Sequence, residues 1–257
     1  MSLAYVNGEF LPIQEASVSV LDRGFAYGDG VFTTIKVAGG TPLLLSWHLE
    51  RLELDATALF IPAPAPEELE EVCCGLVERL GMEEGVVKIV LTRGVGERGL
   101  SARGAGDPTV VITASVPPIP RPPLRAVTLP DRRGSLVVHK TLNYLPNILA
   151  LRQAELAGCE EAVFVKDGSL LESTVSNLVG LVDGELITPA SNGDILCGVA
   201  RRRLLESGTV AEGRLAIDTR GPLYCVNAVR GVEVVAELDG RRLRKESCLE
   251  RALRETL

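Results

Sequence analysis

The pattern of apolar and polar residues predicts β-strands in five short runs near the start of the chain, and in residues 16–20 the two kinds alternate strictly. These runs are residues 4–6, 9–11, 16–20, 31–38 and 41–45. The dipeptides Asn7-Gly8 and Gly39-Gly40 separate two pairs of runs, and such dipeptides favour the tight turns of β-hairpins. Three glycines within residues 22–30 predict an irregular loop between the third and fourth runs.

The spacing of apolar residues becomes helical after residue 45. Ser46 is expected to be the N-cap of a first helix. The apolar residues on one face of this helix are Leu49, Leu52, Ala56 and Leu59. A second helix is predicted over residues 66–80, because it starts with proline and glutamates and stops before Gly81.

Two further apolar runs, residues 86–92 and 109–116, predict buried strands on either side of a loop that is rich in glycine and arginine. Five prolines then fall within residues 117–123. Because proline can join neither a helix interior nor a central strand, this segment predicts a semi-rigid linker. The linker divides the chain into an N-terminal domain at residues 1–116 and a C-terminal domain at residues 124–257.

The second half is rich in strand patterns, with a few helices. Turns are predicted at Asp167-Gly168, Asp183-Gly184 and Asp239-Gly240, and helices near residues 144–157, 199–207 and 246–256. Strands with a few helices on each side of a proline-rich linker predict a two-domain α+β protein.

Composition narrows the class of protein. The 257 residues are 46% hydrophobic, which is enough for a large core, and the net charge of −7 without a basic block argues against a nucleic-acid partner. No run approaches the roughly 18 apolar residues that a membrane span requires, so we expect a cytoplasmic protein without membrane contact. The six cysteines contain no C-x-x-C pair, so no metal site is indicated.

Lys140 is the first candidate for chemistry. Residues 134–138 are apolar and predict a strand, and residues 148–158 have helical spacing that ends at a glycine. A lysine at such a junction is partly desolvated, which favours its neutral, nucleophilic amine. The alternative is a surface lysine with no chemical role.

Two other stretches suggest the binding of a charged ligand. Glu172 stands between apolar runs, where a carboxylate needs a cation or a donor, such as a protonated ring nitrogen. Its alternative is an edge-strand glutamate that faces water. Residues 194–201 predict a turn that leads into a helix N-terminus, where free N–H groups favour a phosphate. A plain helix start is the alternative.

Three arginines are candidates for anion binding. Arg51 lies on the first helix beside His48, and Arg93 and Arg98 lie in the glycine-rich loop. A planar guanidinium on such a loop suits carboxylate recognition, whereas a solvated helix face and a solvated loop are the alternatives. His48 and His139 are the only histidines, and neither has the spacing of a metal set or a nucleophile partner, so hydrolase triads are poor candidates.

Taken together, these motifs resemble the class IV aminotransferases, which use pyridoxal 5'-phosphate. The resemblance is carried by Glu172-x-Thr174-x-x-Asn177-Leu178, Leu186-x-Thr188 and Leu196-x-Gly198-Val199-x-Arg201, in the order and spacing of the family signature. Val179 departs from it, because an aromatic residue is usual there. The resemblance implies fold type IV, with a smaller N-terminal α/β domain and a larger strand-rich C-terminal domain that binds the cofactor.

The resemblance also implies roles for single residues. Lys140 would bind the cofactor covalently and act as the catalytic base, Glu172 would pair with the pyridine nitrogen, and Arg51 would bind the phosphate. The remaining cofactor-binding residues would be Tyr144 near the phenolic oxygen, Ser176, Asn177, Gly198, and Val199 and Ala200 through their N–H groups. Many members have threonine where Ala200 stands, so one hydroxyl contact to phosphate is expected to be missing.

Within the family, residues 27–34, 92–99, 140–143 and 226–232 look most like aminodeoxychorismate lyase. A small amine and carboxylate substrate is therefore expected, with Arg98, and more weakly Arg93, at a substrate carboxylate. The pocket would be lined by Phe32, Thr33, Thr34, Asn227 and Ala228.

Two alternatives remain open. One is an aminotransferase for D-amino acids or branched-chain amino acids, although the histidine of D-amino-acid enzymes is replaced by Leu100. The other is a non-catalytic two-domain protein that binds a small anion or another chain. The family usually forms homodimers, so a homodimer is expected.

Overall fold

A computed structural model describes residues 2–257 and divides the chain into two compact units. The N-terminal unit extends to Pro118 and also contains His139–Asn143. The C-terminal unit contains Ile119–Val138 and Tyr144–Leu257. The lysine-bearing segment thus belongs to the N-terminal unit, whereas the sequence places it in the C-terminal domain.

An antiparallel sheet and three helices form the N-terminal unit. The strands are β1 (Leu3–Val6), β2 (Glu9–Pro12), β3 (Gly30–Ala38), β4 (Thr41–Pro42), β5 (Glu84–Thr92) and β6 (Thr109–Ser115), in the order β2-β1-β6-β5-β3-β4. The helices are α1 (Arg23–Tyr27), α2 (Leu45–Ala58) and α3 (Pro66–Leu80).

The central strand β3 has two different faces, because successive side chains point to opposite sides of a sheet. One face is buried in the core with α2 and α3, and its residues are Val31, Thr33, Ile35 and Val37. The other face is only partly covered and carries Phe32, Thr34 and Lys36. This second face is open to a ligand.

Most predictions for the N-terminal unit are confirmed, including both hairpins and the bounds of α3 with its left-handed Gly81 cap. Three are wrong. Residues 16–20 form no strand, since Val18 and Val20 find no sheet to pack against and stay exposed. The glycine-rich stretch contains the short helix α1, because Asp22 caps it through the N–H groups of Gly24 and Phe25. Ser46 is not the cap of α2, which starts after the left-handed Leu44.

A short ladder holds the lysine-bearing segment on β3. The amide of Phe32 donates to the carbonyl of Lys140 and the amide of Leu142 donates to the carbonyl of Gly30, both at 2.9 Å. A Cβ at residue 30 would lie 2.7 Å from the main-chain oxygen of Leu91, which cannot move aside, so this position requires glycine. Residues 134–138, predicted as a strand, instead contain the 3₁₀ turn Ser135–Val138. Pairing with β3 begins only after that turn.

Ten strands and three helices form the C-terminal unit. The strands are β7 (Leu124–Pro130), β8 (Glu161–Lys166), β9 (Ser169–Ser173), β10 (Asn177–Val182), β11 (Glu185–Pro189), β12 (Ala211–Gly213), β13 (Leu215–Ala216), β14 (Leu223–Asn227), β15 (Gly231–Leu238) and β16 (Arg241–Arg242). Strands β7, β8, β9, β10, β14 and β15 form a closed circuit of paired neighbours, because β9 also pairs with β10. The helices are α4 (Leu145–Leu156), α5 (Val199–Glu206) and α6 (Ser247–Thr256).

The predicted turns and helices of this half are confirmed. Asp167, Asp183 and Asp239 each have a φ of about 50° and precede a glycine of positive φ, which is the backbone of a tight hairpin turn. The end of the proline-rich segment is fixed to its unit, since Arg121 makes a bidentate ion pair with Glu233. Within residues 2–257, no helix is both long and apolar enough to cross a membrane.

Candidate active site

Lys140 is half-buried in the N-terminal unit, as its position in the sequence predicts. Its Nζ lies 4.5 Å from the centre of the Phe32 ring. Its main-chain N–H donates to Asp55 Oδ2 at 3.1 Å. Both contacts come from the elements that flank the lysine-bearing segment: Phe32 is on β3 and Asp55 is on α2. The side chain of the lysine thus contacts β3, and its main chain contacts α2.

Helix α2 also presents His48 and Arg51, one helical turn apart. Thr33 Oγ1 accepts a hydrogen bond from Arg51 at 2.9 Å and lies 2.8 Å from His48 Nδ1. Burial, together with the charges of Arg51 and Lys140, lowers the pKa of His48 to about 3. The ring is therefore neutral at physiological pH, and the Thr33 hydroxyl can donate to Nδ1. His48 Nε2 is buried without a hydrogen-bond partner in the part of the chain that the structure describes.

The open face of β3 gathers Phe32, Thr34 and a residue that the sequence did not single out, Lys88. Thr34 lies opposite Lys88 in the β3–β5 ladder, and Lys88 Nζ is 4.7 Å from the centre of the Phe32 ring. Burial lowers the pKa of Lys88, which makes no ion pair with any of residues 2–257. Thr33 points to the opposite face, so β3 separates it from Phe32 and Thr34. Only the paired register of β3 and β5 identifies Lys88.

Arg93 has several protein partners. It makes a bidentate ion pair with Asp29 at 2.8 and 2.9 Å and donates to the carbonyls of Leu59 and Phe60. These contacts use four of the five N–H donors of the guanidinium, so at most one remains for the substrate carboxylate that the sequence suggests. Arg98, by contrast, is exposed and has no ion pair within residues 2–257.

Asp29 lies between Arg93 and Arg23. Burial would raise the pKa of Asp29, but the hydrogen bonds and charges of Arg93 and Arg23 outweigh burial and lower it. Arg23 also donates to the carbonyls of Gly99, Leu100 and Ser101, at 3.0 to 3.2 Å. Arg93 at the start of the loop and Arg23 through residues 99–101 therefore hold the loop on either side of Arg98.

We expect Asp29→Asn to lower the free energy of unfolding by about 2 kcal/mol at pH 7, since it leaves two largely buried arginines without their carboxylate. Because the pKa of Asp29 is lowered in the folded state, its stabilisation is complete above the ordinary aspartate pKa of about 3.9 and is lost as the pH falls through the folded value. The deficit of the variant should therefore shrink below about pH 4. Urea unfolding at a series of pH values measures this, with the exposed Asp107→Asn as the control. A deficit that stays constant with pH would contradict the proposed charge contribution.

In the C-terminal unit, Glu172 is buried and fully coordinated by the protein. Its Oε1 lies 2.5 Å from Arg133 Nη1, and its Oε2 accepts from Asn177 Nδ2 at 3.2 Å and from the amide of Leu196 at 3.1 Å. The alternative of an edge-strand glutamate that faces water is therefore wrong. The cation beside Glu172 belongs to the protein, and sequence reasoning missed it.

Arg133 is in turn held by Asp131. The two side chains are paired at 2.8 Å, and Arg133 also donates to the carbonyl of Asp194 and stacks 3.9 Å from the centre of the Phe164 ring. The charges of Asp131 and Glu172 keep the pKa of Arg133 above its usual value, although burial opposes this. A buried glutamate requires a cation from elsewhere in the chain. The carboxylate and the arginine that directly follow β7, Asp131 and Arg133, could therefore have been predicted as its partners.

Asn177 links Glu172 to the start of α5. Its Nδ2 donates both to Glu172 and to the carbonyl of Leu196. A Cβ at residue 198 would collide with Asn177 Oδ1, so Gly198 is required there. Val199 and Ala200 follow as the first buried residues of α5, where main-chain N–H groups have no partner within the helix. The sequence prediction of an anion-binding helix start thus has the expected backbone, beside Glu172.

The other signature residues stabilise the same region. Thr174 donates its hydroxyl to the buried Glu161 at 2.5 Å, and burial raises the pKa of Glu161. Arg201 is also buried and binds the carbonyl of Pro189 and the carboxylate of Glu212. These contacts fix the ends of β9 and β11. Thr174 and Arg201 therefore have structural partners.

Ser176 and Asn227 are brought together. Asn227 Nδ2 donates to Ser176 Oγ at 2.8 Å, while its Oδ1 accepts from the amides of Val229 and Arg230. Ala228 is in the same turn and is half-buried. Tyr144 precedes α4 in this unit and is also half-buried. The structure thus joins one predicted cofactor residue to one predicted substrate residue.

The residues fit the cofactor that the sequence signature implies. Pyridoxal phosphate needs an amine for its aldehyde, a carboxylate for its ring nitrogen and donors for its phosphate. The N-terminal unit contains Lys140 as a half-buried amine and Arg51 as a donor. The C-terminal unit contains Glu172 as a fixed carboxylate and the N–H donors at the start of α5. The buried, unpartnered His48 Nε2 beside Arg51 further fits an acceptor that a ligand supplies.

Comparison with known proteins agrees with this geometry. The chain matches the family model "Amino-transferase class IV" over residues 30–238. It is 35% identical to a Methanocaldococcus jannaschii protein described as "Putative branched-chain-amino-acid aminotransferase", over 92% of this chain and 88% of that protein. It is 33% identical to a D-alanine aminotransferase of Staphylococcus aureus, over 78% and 73% of the two chains.

An aminodeoxychorismate lyase of Bacillus subtilis is 30% identical, over 80% of this chain and 73% of the lyase. Among solved structures, the pyridoxal-phosphate-bound form of a hypothetical aminotransferase from Mycobacterium tuberculosis has a TM-score of 0.87 at 26% identity. That comparison covers 99% of this chain and 97% of the other. Proteins with three different activities thus resemble this chain.

Proposed function

Since this chain belongs to the class IV aminotransferases, we propose that it is a pyridoxal-phosphate-dependent lyase. Its reaction would convert 4-amino-4-deoxychorismate to 4-aminobenzoate and pyruvate, a step of folate synthesis. The observation that carries this proposal is the half-buried Lys88, which lies beside Phe32 and makes no ion pair with residues 2–257.

Lys88 favours a substrate with two carboxylates. A lysine that is partly desolvated and unpaired stabilises an anion more than a solvated one does. The exposed Arg98 offers a second cation, whereas Arg93 shares the Asp29 carboxylate with Arg23. Aminodeoxychorismate has two carboxylates, but alanine and the branched-chain amino acids have one. Two cations without an ion pair therefore suit aminodeoxychorismate better than alanine or a branched-chain amino acid. The keto acid 2-oxoglutarate is also a dicarboxylate, so the parallel assays decide between the two reactions.

The cofactor, when bound, supplies an electron sink for the bond-breaking step. Lys140 would exchange with the substrate amine and then, as a neutral amine, remove the ring proton. Glu172, kept beside Arg133, would hold a proton at the pyridine nitrogen, and Arg51 with the N–H groups of Val199 and Ala200 would bind the phosphate. Loss of the enolpyruvyl group as pyruvate leaves an aromatic ring, which drives the reaction.

An aminotransferase is the second candidate function. It is supported by the relatives described as D-alanine and branched-chain aminotransferases, the latter with the higher identity to this chain. The residues assigned to the cofactor would serve either reaction. The difference lies in the substrate, which for amino transfer must leave and be replaced by a keto acid.

Parallel assays distinguish the two functions. Purified protein with pyridoxal phosphate is incubated with aminodeoxychorismate, and separately with D-alanine or leucine plus 2-oxoglutarate. We expect 4-aminobenzoate and pyruvate in equal amounts from the first reaction. Amino transfer that depends on a keto acid, without aminobenzoate, would contradict the lyase, and no turnover in either assay would favour the non-catalytic alternative. A cytoplasmic homodimer remains a prediction, which gel filtration with light scattering tests for the assembly.

A further inference from the structure

Asp55 occupies a position where an aspartate is locally unfavourable. It is only 4% exposed and lies between Leu52 and Ala56 on the face of α2 that packs into the core. It is also in the last turn of α2, where the helix dipole disfavours a negative charge. Burial and the dipole both destabilise this carboxylate, so contacts from another part of the chain must compensate.

Both compensating contacts come from the lysine-bearing segment. Asp55 Oδ1 lies 2.9 Å from His139 Nδ1, and Asp55 Oδ2 accepts from the main-chain N–H of Lys140 at 3.1 Å. Each oxygen thus has one partner, and the two partners are consecutive residues. On the other side of this segment, in the ladder to β3, the carbonyl of Lys140 and the amide of Leu142 make main-chain hydrogen bonds.

We infer that Asp55 is a positioning residue that fixes the main chain of Lys140 and so aims its amine. The helix that carries Arg51 is the same α2, with Arg51 and Asp55 four residues apart on one side. The carboxylate therefore sets the lysine at a constant place relative to Arg51. This inference rests on the proposed role of Lys140 as the residue that holds the cofactor.

The binding of two forms of the cofactor distinguishes a misplaced Lys140 amine from a general loss of structure at the site. Pyridoxal phosphate condenses with a lysine amine and releases water, whereas pyridoxamine phosphate lacks the aldehyde and binds without that bond. We expect Asp55→Ala to weaken the binding of pyridoxal phosphate roughly 10- to 100-fold, the range for loss of a hydrogen bond to a charged group. Affinity for pyridoxamine phosphate should change less than about twofold, because it does not depend on the lysine.

Three further variants make the test specific. Asp55→Asn keeps an oxygen for the Lys140 N–H and an amide that can donate to a neutral His139, so it should restore pyridoxal phosphate binding to within about threefold. Glu53→Ala, an exposed acid on the same helix, should change neither affinity. His139→Ala removes only one partner of Asp55, so it keeps the test possible if Asp55→Ala folds poorly. It should weaken the binding of pyridoxal phosphate by a smaller factor than Asp55→Ala and leave the binding of pyridoxamine phosphate unchanged.

Equal losses of both affinities in Asp55→Ala would overturn the inference, as would an Asp55→Asn variant that is as weak as Asp55→Ala. Lys140→Ala is measured in parallel. If Lys140→Ala does not lower the preference for pyridoxal phosphate, the proposed role of the lysine fails. If it does and Asp55→Ala does not, the lysine keeps its role and only the aiming by Asp55 is refuted.

Discussion

Replacing Lys140 with alanine is expected to lower turnover by at least about 10³-fold, within the range for removal of a positioned acid–base group. The loss should be larger than for any other single substitution, because the same amine would hold the cofactor and move the proton. The visible absorbance of the protein-bound cofactor should disappear as well. Reduction with borohydride followed by mass spectrometry should label residue 140 in the natural chain and nothing in the variant.

The fold should survive this substitution. The main chain of residue 140 donates to the Asp55 carboxylate and accepts from the Phe32 amide. Alanine keeps both hydrogen bonds. Lys245→Ala is the matched control, since Lys245 is exposed and distant from Lys140 in the sequence. Unchanged cofactor absorbance in Lys140→Ala would remove the basis of the enzymatic proposal.

Glu172→Gln is expected to lower turnover by about 10²- to 10³-fold, the scale for losing one group that stabilises charge in a water-excluded site. Glutamine keeps the shape of the side chain but cannot hold a proton on the pyridine nitrogen. The free energy of unfolding should fall by only about 1–2 kcal/mol, because Arg133 retains Asp131 as its partner. Steady-state kinetics and urea unfolding measure the two effects separately.

Glu160→Gln is the control for this charge removal, since Glu160 forms an exposed ion pair with Arg125 at the start of β8. We expect it to leave turnover unchanged and to cost little stability. A Glu172→Gln variant with full activity would mean that the buried carboxylate only balances Arg133. A large loss of turnover with a small loss of unfolding free energy in Glu172→Gln would therefore indicate that Glu172 acts on a ligand.

Arg133 bears on whether Glu172 can act on a cofactor, because that role requires a negative charge. A buried carboxylate without a cation tends to take up a proton, and a protonated glutamate could not hold a positive charge at a ring nitrogen. Arg133, fixed by Asp131 and by the Phe164 ring, lies against Glu172 and supplies an opposite charge. The protein thus supplies a cation where the sequence suggested a protonated ring nitrogen as one possible partner.

Local chemistry made a large part of the fold predictable. The turns at Asp167, Asp183 and Asp239 follow from aspartate-glycine pairs, and the end of α3 follows from Gly81, because few residues tolerate a left-handed backbone. Fold type IV and the use of pyridoxal phosphate, which the signature implied, are confirmed by the family match and by the similar structures. The roles of single site residues remain predictions.

Long-range pairing was not predictable from local chemistry. The alternating residues 16–20 look like a strand but have no neighbour, and residues 134–138 look like a strand but form a 3₁₀ turn. Whether a run becomes a strand depends on an edge with free N–H and C=O groups, which only the assembled sheet provides.

The sequence by itself determined the reactive groups: a lysine, a glutamate and a helix start in the order of one enzyme family. Only the tertiary structure decided what surrounds them. It pairs Arg93 with Asp29, places Lys88 beside Phe32, and places Asp55 within hydrogen-bond distance of the main chain of Lys140. The physical reason is that a charged group acts through the charges and donors within a few ångströms of it, and folding selects those from distant parts of the chain.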